Sequence, residues 1–127
     1  MKRYGFVLAG AVGVSALATA AQAECTGSNG RGWASGKGAG EFTMSASDGA
    51  CQMGFTSFIN DSTKTRIPAT TVKLSKAPKN GKISLTSKGP VYTPAAGFRG
   101  KDRFCTVNTS ADMPGKSLTG CVTVTVN

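Results

Sequence analysis

The chain has 127 residues, with 15 Lys and Arg against six Asp and Glu, four cysteines, no histidine and a net charge of +9. That length allows one domain behind a short leader. Without histidine the commonest general base and metal ligand is missing, and the basic balance favours acidic partners over basic ones.

Residues 1–23 read as a secretory signal peptide. Lys2 and Arg3 give a positive start, an apolar run extends from Phe6 to about Ala18, and Ala21-Gln22-Ala23 places small residues where a signal peptidase cuts. The apolar run is shorter than the ~20 residues of a membrane-spanning helix. Glu24 separates the expected cut after Ala23 from Cys25, which argues against a lipid-modified cysteine. The expected mature chain is secreted or periplasmic, has no membrane span, and carries 13 basic and six acidic side chains, a net of +7. Its four cysteines predict two disulfides. A metal site is disfavoured because no C-x-x-C spacing and no histidine is present.

Residues 24–40 are rich in glycine (Gly27, Gly30, Gly32, Gly36, Gly38, Gly40) and show no apolar period. They read as a flexible arm or long loop. The arm holds the single tryptophan, Trp33, near Arg31 and Lys37. An aromatic among cations suits contact with a sugar, a base or an acidic surface. The competing reading folds Trp33 back over the edge of the core.

A β-domain is expected over residues 41–127. Phe42 to Ala46 alternates as a half-buried strand does, and Ser47-Asp48-Gly49 is a turn. Cys51, Met53 and Phe55 share a face of the next strand before Asn60-Asp61-Ser62 breaks the pattern. Thr70 to Ser75 places Val72 and Leu74 inward. Lys79-Asn80-Gly81-Lys82 predicts a tight hairpin, with Ile83 and Leu85 inward beyond it. Lys88-Gly89-Pro90 turns the chain into a short strand at Val91 and Tyr92, which Pro94 stops. Phe104 to Asn108 and Val122 to Val126 are the last strands, joined through Asp112, Met113, Pro114 and Gly115. Short strands at this spacing with no helical period mean an all-β sandwich or barrel.

The stretch Pro78 to Val126 resembles the bacterial immunoglobulin-like and cadherin-like domains of secreted and surface proteins. Their repeats read P-x-N-G, a strand, Y-x-P-x-x-G-F-x-G-x-D-x-F, and a closing V-x-V-x-V. The matching residues are Pro78, Asn80, Gly81, Tyr92, Pro94, Gly97, Phe98, Gly100, Asp102, Phe104, Val122, Val124 and Val126. The resemblance implies an immunoglobulin-like antiparallel β-sandwich. Its residues are architectural: the glycines permit turns, Phe98 and Phe104 fill the core, and Asp102 can accept from turn amides. The chain carries one such unit, is basic, and lacks the carboxylate clusters of a calcium site. In the family's pattern the valines of the last strand face inward, so Cys121 faces outward, as does Cys105 beside inward Phe104. The resemblance thus implies the pairs Cys105–Cys121 and Cys25–Cys51. The alternative is Cys51–Cys105 bridging two sheets, as in antibody domains.

No enzymatic constellation emerges. The acids Glu24, Glu41, Asp48, Asp61, Asp102 and Asp112 form no evident pair, and neither Ser-x-x-Lys nor Gly-x-Ser-x-Gly occurs. The cations offer more. Lys73, Lys76, Lys79 and Lys82 crowd one strand and the hairpin after it, and Arg99, Lys101 and Arg103 recur at period two. Merged, the two groups would form a patch for lipopolysaccharide phosphates, teichoic acids, acidic polysaccharides or extracellular DNA. The competing reading is that edge lysines discourage strand-to-strand aggregation. The functional expectation is an exported, non-catalytic, adhesion-type binding module for an exported protein. The alternatives are a binder of envelope glycans or polyanions, and an inhibitor or accessory subunit of an exported enzyme. No cofactor, metal or intracellular nucleic acid is expected. Arg99, Lys101, Arg103, Lys73, Lys79, Lys82 and Trp33 are the candidate binding residues.

Overall fold

A computed structural model describes residues 25–127; the leader expected at residues 1–23 lies outside the described residues. The strands are β1 (Cys25–Ser28), β2 (Gly38–Met44), β3 (Cys51–Gln52), β4 (Ser57–Asn60), β5 (Thr65–Pro68), β6 (Thr71–Lys76), β7 (Gly81–Thr86), β8 (Gly89–Pro94), β9 (Gly100–Thr109) and β10 (Leu118–Val126). Single 3-10 turns occur at Trp33–Ser35 and Ala46–Asp48. The fold is all-β. Among the described residues no helix is long and apolar enough to cross a membrane.

A five-stranded sheet runs in the order β1-β2-β10-β9-β6, and a three-stranded sheet in the order β3-β8-β7, while β4 and β5 form a separate hairpin. β10 is the centre of the large sheet. Its Leu118, Gly120, Val122, Val124 and Val126 are buried while the residues between them are not. This period of two is what a strand with one covered face requires. β10 pairs antiparallel with β9 and parallel with β2. The core joins Phe42, Met44, Phe104 and the β10 valines of the large sheet to Cys51 and Tyr92 of the small one. Each fully buried apolar side chain of this kind contributes about 1.5–3 kcal/mol.

Residues 25–40 depart from the expected flexible arm. β1 pairs with the second half of β2, and the whole of β2 lies along β10 from Gly38 beside Gly120 to Met44 beside Val126. Between them the chain turns through Trp33–Ser35, flanked by Gly32 and Gly36 at φ 92° and 81°. Composition suggested flexibility, but the glycines serve close approach. Gly38 is the register partner of Gly120. A Cβ on Gly120 would sit 2.4 Å from the Gly38 backbone, and one on Gly38 would sit 2.2 Å from the Trp33 ring.

The Lys79-Asn80-Gly81-Lys82 hairpin is also corrected. β6 belongs to the large sheet and β7 to the small one, so this segment crosses between sheets. Gly81 does not take a positive φ. Leu74 and Leu85 were expected inward but are 38% and 52% exposed, because β6 and β7 are edge strands with incomplete cover. The strand expected at Cys51 to Phe55 is only two residues long, and the β4–β5 hairpin follows it.

The cysteines pair as Cys25–Cys51 and Cys105–Cys121. The first ties β1 of the large sheet to β3 of the small one. The second joins register partners on β9 and β10. Two disulfides fit an oxidising compartment.

Candidate functional site

The outer face of the large sheet is built by strict alternation. On β9, Asp102, Phe104, Thr106 and Asn108 are buried, which turns Lys101, Arg103, Cys105 and Val107 outward. β6 lies beside β9 with Lys73 opposite Val107 and Lys76 opposite Cys105. Outward positions on one strand are about 6.8 Å apart and adjacent strands about 4.8 Å apart. Lys101, Arg103, Lys76 and Lys73 therefore follow one another along β9 in a row roughly 20 Å long. The face around them carries Thr119, Thr123 and Thr125 of β10 and Thr43 of β2, with Glu41 as its acid. Glu41 is two strands from Arg103, with Thr123 between them.

The structure thus brings together Lys73, Lys76, Lys101 and Arg103. Arg99 is exposed in the loop just before β9, and Lys79 is exposed in the crossing segment. Lys82 lies on β7, in the other sheet, so the expected cluster of β6 and hairpin lysines is divided between two sheets. Trp33 is not carried on a free arm but folds back on the core, as the competing reading has it: it is 4% exposed, packed on Gly38, with its indole N–H donating to the Asn29 carbonyl.

A buried hydrogen-bond cluster centres on Asp102. Its carboxylate accepts from the amides of Lys79 (3.0 Å), Asn80 (2.9 Å) and Arg103 (2.9 Å) and from the Tyr92 hydroxyl (2.8 Å). Burial alone would push this carboxyl up, but the bonds from Tyr92, Asn80, Lys79 and Arg103 hold it below its usual value. Tyr92 moves the other way, pushed well above its ordinary value by burial first and by the Asp102 carboxylate second. The group is structural: a fully bonded carboxylate has no lone pair left for a substrate.

A cleft of about 490 Å³ opens between the 28–35 turn and the β4–β5 hairpin. Arg31 donates to both oxygens of Asp61 (3.3 and 3.4 Å), which clips the turn to the hairpin tip. Both side chains are exposed, and such a pair contributes about 0–1 kcal/mol. Asn29 donates its side-chain amide to the Gly54 carbonyl at 3.2 Å, which holds the other end. Ile59 and Arg66 are register partners, so they share the hairpin face that lines the cleft. Thr56 also lines it; its Oγ1 is buried with no hydrogen-bond partner among the described residues. Leaving a buried hydroxyl unbonded costs about 1–3 kcal/mol. Sequence reasoning missed this cleft because the pattern break at Asn60 concealed the hairpin. The paired turn at Asn60 to Lys64 was the available signal, since the Asn60 side chain accepts from Ser62 and Thr63 amides.

A second cavity of about 440 Å³ lies on the other side of that hairpin, walled by Phe58, Ile67 and Met113. Among the described residues no three His, Cys, Asp or Glu side chains come together to hold a metal. Compared with known proteins, the chain matches no family model, no curated protein and no solved structure.

Proposed function

We propose that the chain is an exported, non-catalytic binding module of immunoglobulin-like arrangement, and that the outer face of its large sheet holds polyanions. The observation that carries this is the single row of Lys101, Arg103, Lys76 and Lys73 on a face that no other sheet covers. Cations at a two-residue repeat meet successive charges of an extended polymer, and each neutralised charge releases a counterion. The immunoglobulin-like reading is supported by the order β10-β9-β6 facing β3-β8-β7, with β2 added beside the last strand. Export is supported by the two disulfides together with the leader-like residues 1–23.

The test is retention of the mature oxidised protein on phosphocellulose across a salt gradient, with Lys101→Gln/Arg103→Gln beside it. Retention that falls steeply with salt and drops in the double variant supports the reading. Equal elution of the two proteins, or binding to cell envelopes that ignores salt, refutes it in favour of a shape-recognised protein partner.

A further inference from the structure

The cleft beside the β4–β5 hairpin is separate from the cationic row: none of Lys73, Lys76, Lys101 or Arg103 lines it. It has the make-up of a ligand site. Its volume of about 490 Å³ falls in the range of small-molecule sites, about 300–1,000 Å³. Phe55 and Ile59 give it an apolar wall, and Ser28, Ser35 and Ser57 give it hydroxyls. Its two cations differ. Arg31 is committed to Asp61, whereas Arg66 has no acidic partner and donates to no protein acceptor among the described residues. The Arg31–Asp61 clip and the Asn29 bond to Gly54 hold the walls in place before any ligand arrives.

An apolar wall takes the C–H face of a pyranose ring, serine hydroxyls match ring hydroxyls, and a planar guanidinium fork holds a carboxylate by two parallel bonds. The volume suits one or two sugar units, and the open mouth lets a longer chain continue outward. We propose that this cleft binds a carboxylate-bearing sugar unit, with Arg66 on the carboxylate and Phe55 and Ile59 against the ring. This goes beyond the polyanion reading, because it selects one kind of unit at one place and does not need the sheet face.

Trp33 is the single tryptophan and lines the cleft, so in the folded protein its fluorescence responds to a ligand bound there. The experiment titrates the mature oxidised protein with a glucuronate-terminated disaccharide. Three comparisons run beside it: the same disaccharide with glucose for glucuronate, an acidic dipeptide, and the variants Arg66→Gln and Lys101→Gln/Arg103→Gln. The expected result is saturable binding of the glucuronate sugar that weakens at least tenfold in Arg66→Gln and is unchanged in Lys101→Gln/Arg103→Gln. The neutral sugar should bind at least tenfold more weakly. No saturable signal, equal binding of the neutral sugar, tighter binding of the dipeptide, or equal affinity in Arg66→Gln would each overturn the proposal. Arg66 is exposed, so its replacement leaves the fold intact. Loss of phosphocellulose retention in the sheet-face variant fails or succeeds separately from this result.

Discussion

The Tyr92 hydroxyl donates to the Asp102 carboxylate at 2.8 Å and so bonds the small sheet to the large one through the core. Tyr92 is fully buried on β8 and Asp102 sits on β9. The same carboxylate holds the amides of Lys79 and Asn80 in the segment that crosses between the sheets. One side chain therefore fixes both the sheet packing and the crossover.

Removing that carboxylate takes the acceptor from the amides of Lys79, Asn80 and Arg103 and leaves the Tyr92 hydroxyl only its longer bond to the Asn80 carbonyl at 3.4 Å. Asp102→Ala is expected to destabilise the oxidised protein by about 3 kcal/mol or more, since hydrogen bonds to a charged group contribute about 1.5–3 kcal/mol each. Tyr92→Phe removes the hydroxyl that donates to Asp102 and, more weakly, to the Asn80 carbonyl, and leaves the amides satisfied, so about 1–2 kcal/mol is expected. Urea unfolding followed by Trp33 fluorescence checks both values. Equal loss in the two variants would mean that the amide bonds contribute nothing.

These two residues also set opposite limits on the pH range of stability. Asp102 titrates below its usual value in the fold. Its contribution is complete above the unfolded carboxyl value of about 3.9 and is lost as pH falls through the lower folded value. Tyr92 titrates above its usual value. Its contribution is complete below the unfolded phenol value of about 10 and is lost as pH rises beyond it. Thermal unfolding should show a plateau between about pH 4 and 10. Asp102→Asn should flatten the acid limb and Tyr92→Phe the alkaline limb. An acid limb that is unchanged in Asp102→Asn would assign acid sensitivity to other carboxylates.

The stack of Trp33 on Gly38 and Gly38 on Gly120 gives a test of packing. Gly38→Ala and Gly120→Ala each place a methyl inside an occupied space. Overpacking of this kind costs about 1–3 kcal/mol. Gly38→Ala should also move Trp33 and shift its emission to the red, because the added carbon meets the indole itself. Gly54 has open space around its Cβ position and no positive φ. Gly54→Ala should therefore be neutral or stabilising by about 0.4–1 kcal/mol. Melting temperatures of the three variants decide the matter, and equal temperatures would disprove the close approach.

The strands with one fully covered face were legible because their alternation is strict. β10 alternates over its whole length, and the resemblance, with its inward valines, put Cys121 and Cys105 on one outer face; β9 is less plain, since it buries the polar Asp102, Thr106 and Asn108. The edges were harder. Leu74 and Leu85 keep the inward parity yet stay exposed, since parity says which face a residue takes and not whether anything covers it. Asn80-Gly81 carries the residues of a tight turn but serves Asp102 instead, a bond 22 residues away in sequence that no local rule contains. The glycines of residues 25–40 look like a linker because composition does not distinguish freedom from close packing. Of the cations, Lys101 and Arg103 could be placed on one face by period, but their union with Lys73 and Lys76 depends on β6 pairing with β9.

That union has a quantitative consequence for binding. A ligand that follows the row meets four cations at one repeat, and its affinity should fall with salt in proportion to the charges neutralised. For an extended single-stranded polyphosphate the logarithmic slope should be about −0.7 per contact, or roughly −3 for the full row. Lys101→Gln and Lys76→Gln should each reduce the slope by about 0.7–1 and weaken binding without regard to sequence. Lys82→Gln removes the same charge from the other sheet and should leave the slope unchanged, although the net charge falls equally. Fluorescence anisotropy with a labelled oligonucleotide from 50 to 200 mM salt measures this. If Lys82→Gln matched Lys101→Gln, net charge rather than the row would govern binding.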